Sequence, residues 1–124
     1  MEKIKALLMF EGNAEEAMNF YISIIPNSKI ISLTRYWANG AGAGGTVMKA
    51  NFLLNGTEYM SIDSPVKHAF TFTASISLFV TCVTEEEIDK VFAQLSAGGN
   101  IFMPLAPYPF NKKFGWCSDK FSVS

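Results

Sequence analysis

The sequence predicts an α+β chain in which a strand–helix–strand–strand–strand unit is used twice. Three observations carry this. A helix-capping spacing, Asn13 with Glu16, recurs as Thr84 with Glu87, each time behind a short apolar run of strand length. Between them, Asn55-Gly56 is the dipeptide that most favours a two-residue hairpin, because both central residues of a type I′ turn need positive φ. The halves also stay in register without a gap when slid by 71 positions: Leu7 meets Leu78, Phe20-Tyr21 meets Val91-Phe92, Ile24 meets Leu95 and Ile30 meets Ile101.

Taken in order, Ile4 to Phe10 is an apolar run of strand length. Behind Asn13, residues Ala14, Ala17, Met18, Tyr21, Ile24 and Ile25 fall on one helical face, and Pro26-Asn27 stops that helix. "KIISLTRYW" reads as a strand, "ANGAGAGG" as a loop and "TVMKANFLL" as a strand, with "TEYMSID" returning from the Asn55-Gly56 turn. "SPVKHAFTFTA" is a connector. The order then restarts with "SISLFVTC" as a strand. The next helix carries Ile88, Val91, Phe92 and Leu95 on its apolar face, with Gly98 as its stop. "NIFMPL" reads as a strand cut short by Pro104.

Composition narrows the function classes. The chain has 124 residues, the length of one domain, and 49% of them are hydrophobic, enough for a sizeable core. Ten cations are scattered among eleven acids, so no basic stripe offers nucleic acid a phosphate-binding surface. The first residues form neither a secretory apolar region nor a membrane span, which points to a cytoplasmic protein that engages no membrane. Cys82 and Cys117 form no CxxC pair and read as small buried hydrophobes in a reducing compartment. His68, the single histidine, lies in the connector and reads as a solvent-facing loop residue, so no Ser-His-Asp or Cys-His arrangement is credible. The glycines of "GAGAGG" precede Thr46-Val47-Met48, a strand pattern. A dinucleotide or S-adenosylmethionine loop needs a helix there instead.

Four stretches carry a resemblance over essentially the whole chain: "FEGNAEEA" at Phe10 to Ala17, Phe20-Tyr21 with Pro26-Asn27-Ser28, the hairpin "ANFLLNGTEYMSIDSP", and "FGWCSDKF" at Phe114 to Phe121. With them the doubled unit resembles the glyoxalase/bleomycin-resistance (vicinal oxygen chelate) superfamily. More narrowly it resembles the PhnB-like branch labelled 3-demethylubiquinone-9 3-methyltransferase. The resemblance implies tandem βαβββ modules, residues 1–64 and 75–124, in a single domain with eight strands in two four-stranded sheets. These would form a curved mixed β-sheet cup around a ligand cavity with helices outside. It also implies a bacterial, dimeric protein. In many members the cavity holds a divalent metal, but the ligand positions fall near Ala6 and Ser75, which offer no useful donor. No metal or other cofactor is therefore expected.

The candidate ligand-binding residues follow from that cup. Tyr59, Ser61 and Asp63 share one face of their strand and Met60 and Ile62 the other. One set must face the cavity, and the polar, aromatic set fits a ligand wall with few polar anchors better. Asp63 reads first as a strand cap before Pro65 and second as a group that orients a polar ligand at the cavity rim. Trp37, Tyr108, Phe110 and Trp116 are further candidates, each equally suited to core or dimer-interface packing. The reading is a homodimeric PhnB-like protein that binds a small organic molecule without an essential metal, whether or not it catalyses a reaction. A metal-dependent glyoxalase- or dioxygenase-type enzyme is the alternative, and the methyltransferase of the family label ranks last. The ending "KFGWCSDKFSVS" reads as the closing hairpin of the second module, Ser118-Asp119-Lys120 near its turn and Phe121 opening a final strand that is cut at Ser124. Relatives usually carry glycine where this chain has Ser122.

Overall fold

In a computed structural model of the chain, residues 1–38 and 42–124 are described. They fall into two compact units, Met1–His68 and Ala69–Ser124. The class is α+β, with six strands among the described residues rather than eight: four in the first unit and two in the second. Among the described residues no helix is long and apolar enough to cross a membrane.

The first unit comprises β1 (Leu7–Phe10), α1 (Ala14–Ile24), β2 (Lys29–Arg35), β3 (Val47–Leu54) and β4 (Thr57–Asp63). Its sheet runs β1-β4-β3-β2, with β1 parallel to β4 and the other pairs antiparallel. Asn55 and Gly56, at φ 48 and 81, make the predicted tight turn between β3 and β4. Register then fixes which side chains share a face. Leu8 pairs with Ser61 and Phe10 with Asp63, while Ala50 pairs with Ser61 and Phe52 with Tyr59. This is the buried side: Leu8, Phe10, Ala50, Phe52, Leu54, Ser61 and Asp63 are at most 9% exposed. The buried side of α1, made of Ala14, Ala17, Met18 and Tyr21, covers it.

The start of α1 departs from the sequence reading. Asn13 makes no side-chain capping bond. The donor at the helix start goes to β4 instead, where Asp63 Oδ1 accepts the N–H of Ala14 at 3.0 Å and that of Gly12 at 2.8 Å. Asp63 Oδ2 accepts the N–H of Val47, the first residue of β3, at 2.9 Å. An ionised carboxylate makes stronger bonds than an amide oxygen and suits the positive end of the helix. A distant residue therefore wins over the local cap.

The second unit comprises α2 (Glu85–Ser96), β5 (Asn100–Tyr108) and β6 (Asn111–Ser118). Here the local cap forms: Thr84 Oγ1 accepts the Glu87 N–H at 3.1 Å, and Glu87 Oε1 reaches back one residue past the cap to accept the Val83 N–H at 2.8 Å. Gly115 lets α2 approach β6, since a Cβ there would lie 2.6 Å from the Phe92 ring. On the same side of β6, Lys113 Nζ pairs with Asp89 Oδ1 of α2 at 2.6 Å.

Two strand expectations change. Pro104 does not end β5, which runs through it to Tyr108. In a two-stranded sheet each strand has one unpaired edge, where a residue without an N–H costs no ladder bond, and shifts of register flank the prolines. Residues 75–82, expected to be a strand, form no ladder. A strand exists only as a pairing, and the backbone of this segment meets Ser124 alone among the hydrogen bonds of the described residues. Leu78 N–H donates to the Ser124 carbonyl at 3.0 Å, and Ser124 Oγ donates to the Ile76 carbonyl at 2.9 Å. Residues Phe121–Ser124 likewise form a turn rather than a strand. Asp119 Oδ1 accepts the Phe121 and Val123 N–H groups at 2.8 and 3.1 Å. Ser122 sits at φ 73, a left-handed conformation that glycine adopts without strain.

Urea unfolding of point variants separates the two caps. Asp63→Ala, which strands three N–H groups, is expected to cost about 4 kcal/mol, and Asp63→Asn, which sets an NH₂ group or a lost bond against one of them, about 2 kcal/mol. Asn13→Ala should cost under about 0.5 kcal/mol and Thr84→Ala about 1 kcal/mol. A larger loss at Asn13 than at Thr84 would contradict this assignment.

Candidate functional site

With α1 on one side of the first sheet, the strand alternation turns the other set of side chains to the helix-free side. Leu7 pairs with Met60 and Met9 with Ile62, giving that face an apolar floor. Met9, Met60 and Ile62 are half-buried and Leu7 is exposed. A polar row crosses the floor. Lys5 Nζ donates to Asn51 Oδ1 at 3.2 Å and to Glu58 Oε2 at 2.9 Å, Lys3 Nζ donates to Glu58 Oε1 at 2.8 Å, and Asn51 Nδ2 donates to Ser32 Oγ at 3.2 Å. The hydrogen bonds from Lys3 and Lys5 hold the Glu58 carboxyl below the usual carboxylate range.

In the second unit the side of β6 away from α2 carries aromatic rings. Phe102 meets Trp116 edge-on with centroids 5.0 Å apart. Tyr108 stacks on Phe110 at 5.7 Å, and Phe114 meets Phe110 edge-on at 4.9 Å and Tyr108 at 5.9 Å. Phe79 joins Phe114 at 6.0 Å. The polar atoms of this group are bonded within the unit, Trp116 Nε1 to Ser77 Oγ at 3.2 Å and the Tyr108 hydroxyl to the Pro104 carbonyl at 2.7 Å. What remains outward is ring surface: Phe79, Phe102 and Phe110 are 72, 45 and 64% exposed.

The seven sequence candidates thus separate. Tyr108, Phe110 and Trp116 belong to the aromatic face, together with Phe79, Phe102 and Phe114, which only pairing and ring contacts could add. Tyr59, Ser61 and Asp63 lie in one row under α1, with Tyr59 against Phe52 at 5.7 Å. Asp63 is engaged by three N–H groups, and the Tyr36 hydroxyl donates to its carbonyl at 3.2 Å. Ser61 is fully buried, and its hydroxyl has no hydrogen-bond partner among the described residues. Trp37 follows β2 and is 66% exposed. Met9, Asn51, Met60 and Ile62 were not candidates. Met60 and Ile62 were the alternative half of the β4 alternation, and the signal to choose them lies in where α1 packs.

His68 is half-buried rather than solvent-facing, with Nε2 2.9 Å from Ser64 Oγ. Part of the glycine-rich stretch, residues 39–41, lies outside the described residues. Its remainder enters β3, tied by Gly45 N–H to the Tyr36 carbonyl and Tyr36 N–H to the Thr46 carbonyl, both at 2.9 Å. Among the described residues no group of three or more His, Cys, Asp or Glu side chains is placed to hold a metal ion.

The sequence model of the family described as 3-demethylubiquinone-9 3-methyltransferase matches residues 2–124. Among solved structures, a putative 3-demethylubiquinone-9 3-methyltransferase, PhnB protein, from Bacillus cereus is 60% identical with a TM-score of 0.96, over 98% of this chain and 95% of that one. A protein from Staphylococcus aureus is 36% identical over 99% of this chain and 92% of that one, at a TM-score of 0.44. A protein from Pseudomonas aeruginosa is 22% identical with a TM-score of 0.83, over 99% and 93%, a likeness of fold. Comparison with curated proteins gives no match.

The buried polar groups and thiols make two checks. Ser61→Ala removes an unpaired hydroxyl from a packed site, so denaturant unfolding is expected to find it neutral or up to about 1 kcal/mol more stable. A loss above 1 kcal/mol would mean the hydroxyl has a partner. Burial pushes both thiols up, helped by the Glu87 carboxylate at Cys82 and by Asp119 at Cys117. Less thiolate is present at neutral pH, so both should react with iodoacetamide severalfold more slowly than glutathione at pH 7.5. A faster thiol would restore a reactive-cysteine role.

Proposed function

The chain belongs to the 3-demethylubiquinone-9 3-methyltransferase family, and from that membership we propose that it binds a small organic molecule on a helix-free strand surface. The reading is of a PhnB-like member of the glyoxalase superfamily, homodimeric and with no essential metal. One observation carries it: the helix-free face of the first sheet combines an apolar floor, Leu7, Met9, Met60 and Ile62, with a short hydrogen-bonded polar row, Lys5, Asn51 and Ser32. An apolar wall with a few fixed polar groups is what small-molecule sites are made of. The exposed rings of Phe102, Phe110 and Trp116's neighbours add support, as a surface suited to stacking on a ligand or to covering by a second copy.

Methyl transfer, the reaction in the family's description, is not part of this reading. A methyl-donor loop sets its glycines before a helix whose free N–H groups meet the ligand, and here Gly42–Gly45 lead into β3.

A thermal-shift screen of small metabolites, run with EDTA and with added divalent ions, tests the proposal. One compound class should raise the melting temperature equally in both conditions, a ligand at 100 times its dissociation constant adding about 2.7 kcal/mol. No shift with any class would end the ligand-binding reading. A shift abolished by EDTA and restored by one ion would end its metal-free part.

A further inference from the structure

The register of the first sheet distributes charge as well as hydrophobicity. Lys29 pairs with Leu53 and Lys49 with Thr34, which puts both lysines on the same side as Asn51. Lys3 and Lys5 join them there through Glu58. Among the described residues that register and ion pairs place on this face, Lys3, Lys5, Lys29 and Lys49 stand against the acid Glu58. The helix side is the acidic one, with Glu15 and Glu16 in the first turn of α1 and Glu15 paired to Arg35. A chain whose formal net charge is -1 thus has a sheet face that is positive.

Lys5 is the built part of this face. Its side chain is 25% exposed, and two of its three N–H donors are held by Asn51 and Glu58. Glu58 is shared with Lys3, so one carboxylate faces two ammonium groups. The third donor of Lys5 and the unbalanced positive charge stand beside the apolar floor.

We infer that the molecule bound on this face is an organic anion: an apolar body on Met9, Met60 and Ile62, with a carboxylate, sulfonate or phosphate group on Lys5. This rests on the small-molecule reading above and names its ligand class. A neutral ligand would leave the net positive charge of the face unmatched, and a cationic one would be repelled by it.

Fluorescence titration with a matched pair of probes tests the inference on the whole chain. 1-Anilinonaphthalene-8-sulfonate and N-phenyl-1-naphthylamine share one ring system, and only the first carries an anionic group. The sulfonate should bind at least threefold more tightly than the amine in 50 mM salt, and 1 M salt should erase most of the difference by screening. Lys5→Met should weaken the sulfonate about threefold, as expected for one partly exposed charge pair, and leave the amine within twofold. Lys49→Glu, on an exposed strand position whose side chain makes no hydrogen bond among the described residues, should act in the same direction if Lys5→Met perturbs the fold. Equal binding of the two probes, or sulfonate binding indifferent to both substitutions, overturns the anion inference and leaves the ligand-binding reading standing. Binding of neither probe counts against both.

Discussion

The first unit depends on the carboxylate of Asp63. It sits 2% exposed at the end of β4 and collects three backbone N–H groups from two separate places in the chain, the β1–α1 turn and the first residue of β3. Each of those donors would otherwise be unsatisfied near the core, and a single anion near the positive end of α1 settles all of them. The Tyr36 hydroxyl on the Asp63 carbonyl adds the segment after β2. Four elements thus converge on one residue. Because that side chain points to the α1 side, it also decides that α1 covers the Phe52 and Ser61 side of the sheet.

Everything proposed about function follows from that choice of side. Covering the Tyr59, Ser61 and Asp63 row frees Met60 and Ile62, with Leu7 and Met9 across the parallel pair. It also separates the charges, placing the acids of α1 on one side and the lysines of β2, β3 and the N-terminal segment on the other. Had the other half of the β4 alternation been freed, the open face would have held a buried-type carboxylate and no lysine row. A ligand of the opposite charge would then be indicated.

The second unit is organised by close approach rather than by a buried ion. Gly115 admits Phe92 of α2 to one side of β6, and the other side is left to rings that touch one another edge-on or in stacks. Such contacts are favourable beyond the area they bury. They do not cover the outer ring surfaces, which is why this face is open to a ligand or to another copy of the chain.

Sequence by itself determined those features whose partners are neighbours in the chain. The Asn55-Gly56 turn, the Thr84–Glu87 cap and the apolar faces of both helices are formed by residues within a turn or two of one another, so their spacing is their structure. The same locality gave the alternation of β4 but not its sense, because period two divides a strand into two faces without saying which one a helix will cover. The family resemblance was legible in motifs, while four of the seven candidate residues turned out to lie at a loop or beneath α1. Tertiary structure decided what distant partners decide. Asp63, about 50 residues away, replaced Asn13 at the start of α1. The free edge of a two-stranded sheet let β5 pass Pro104, and backbone bonding to Ser124 without a paired strand left residues 75–82 outside any ladder. A hydrogen bond to a remote side chain leaves no spacing in the sequence, and a strand pattern without a second strand beside it has nothing to bond to.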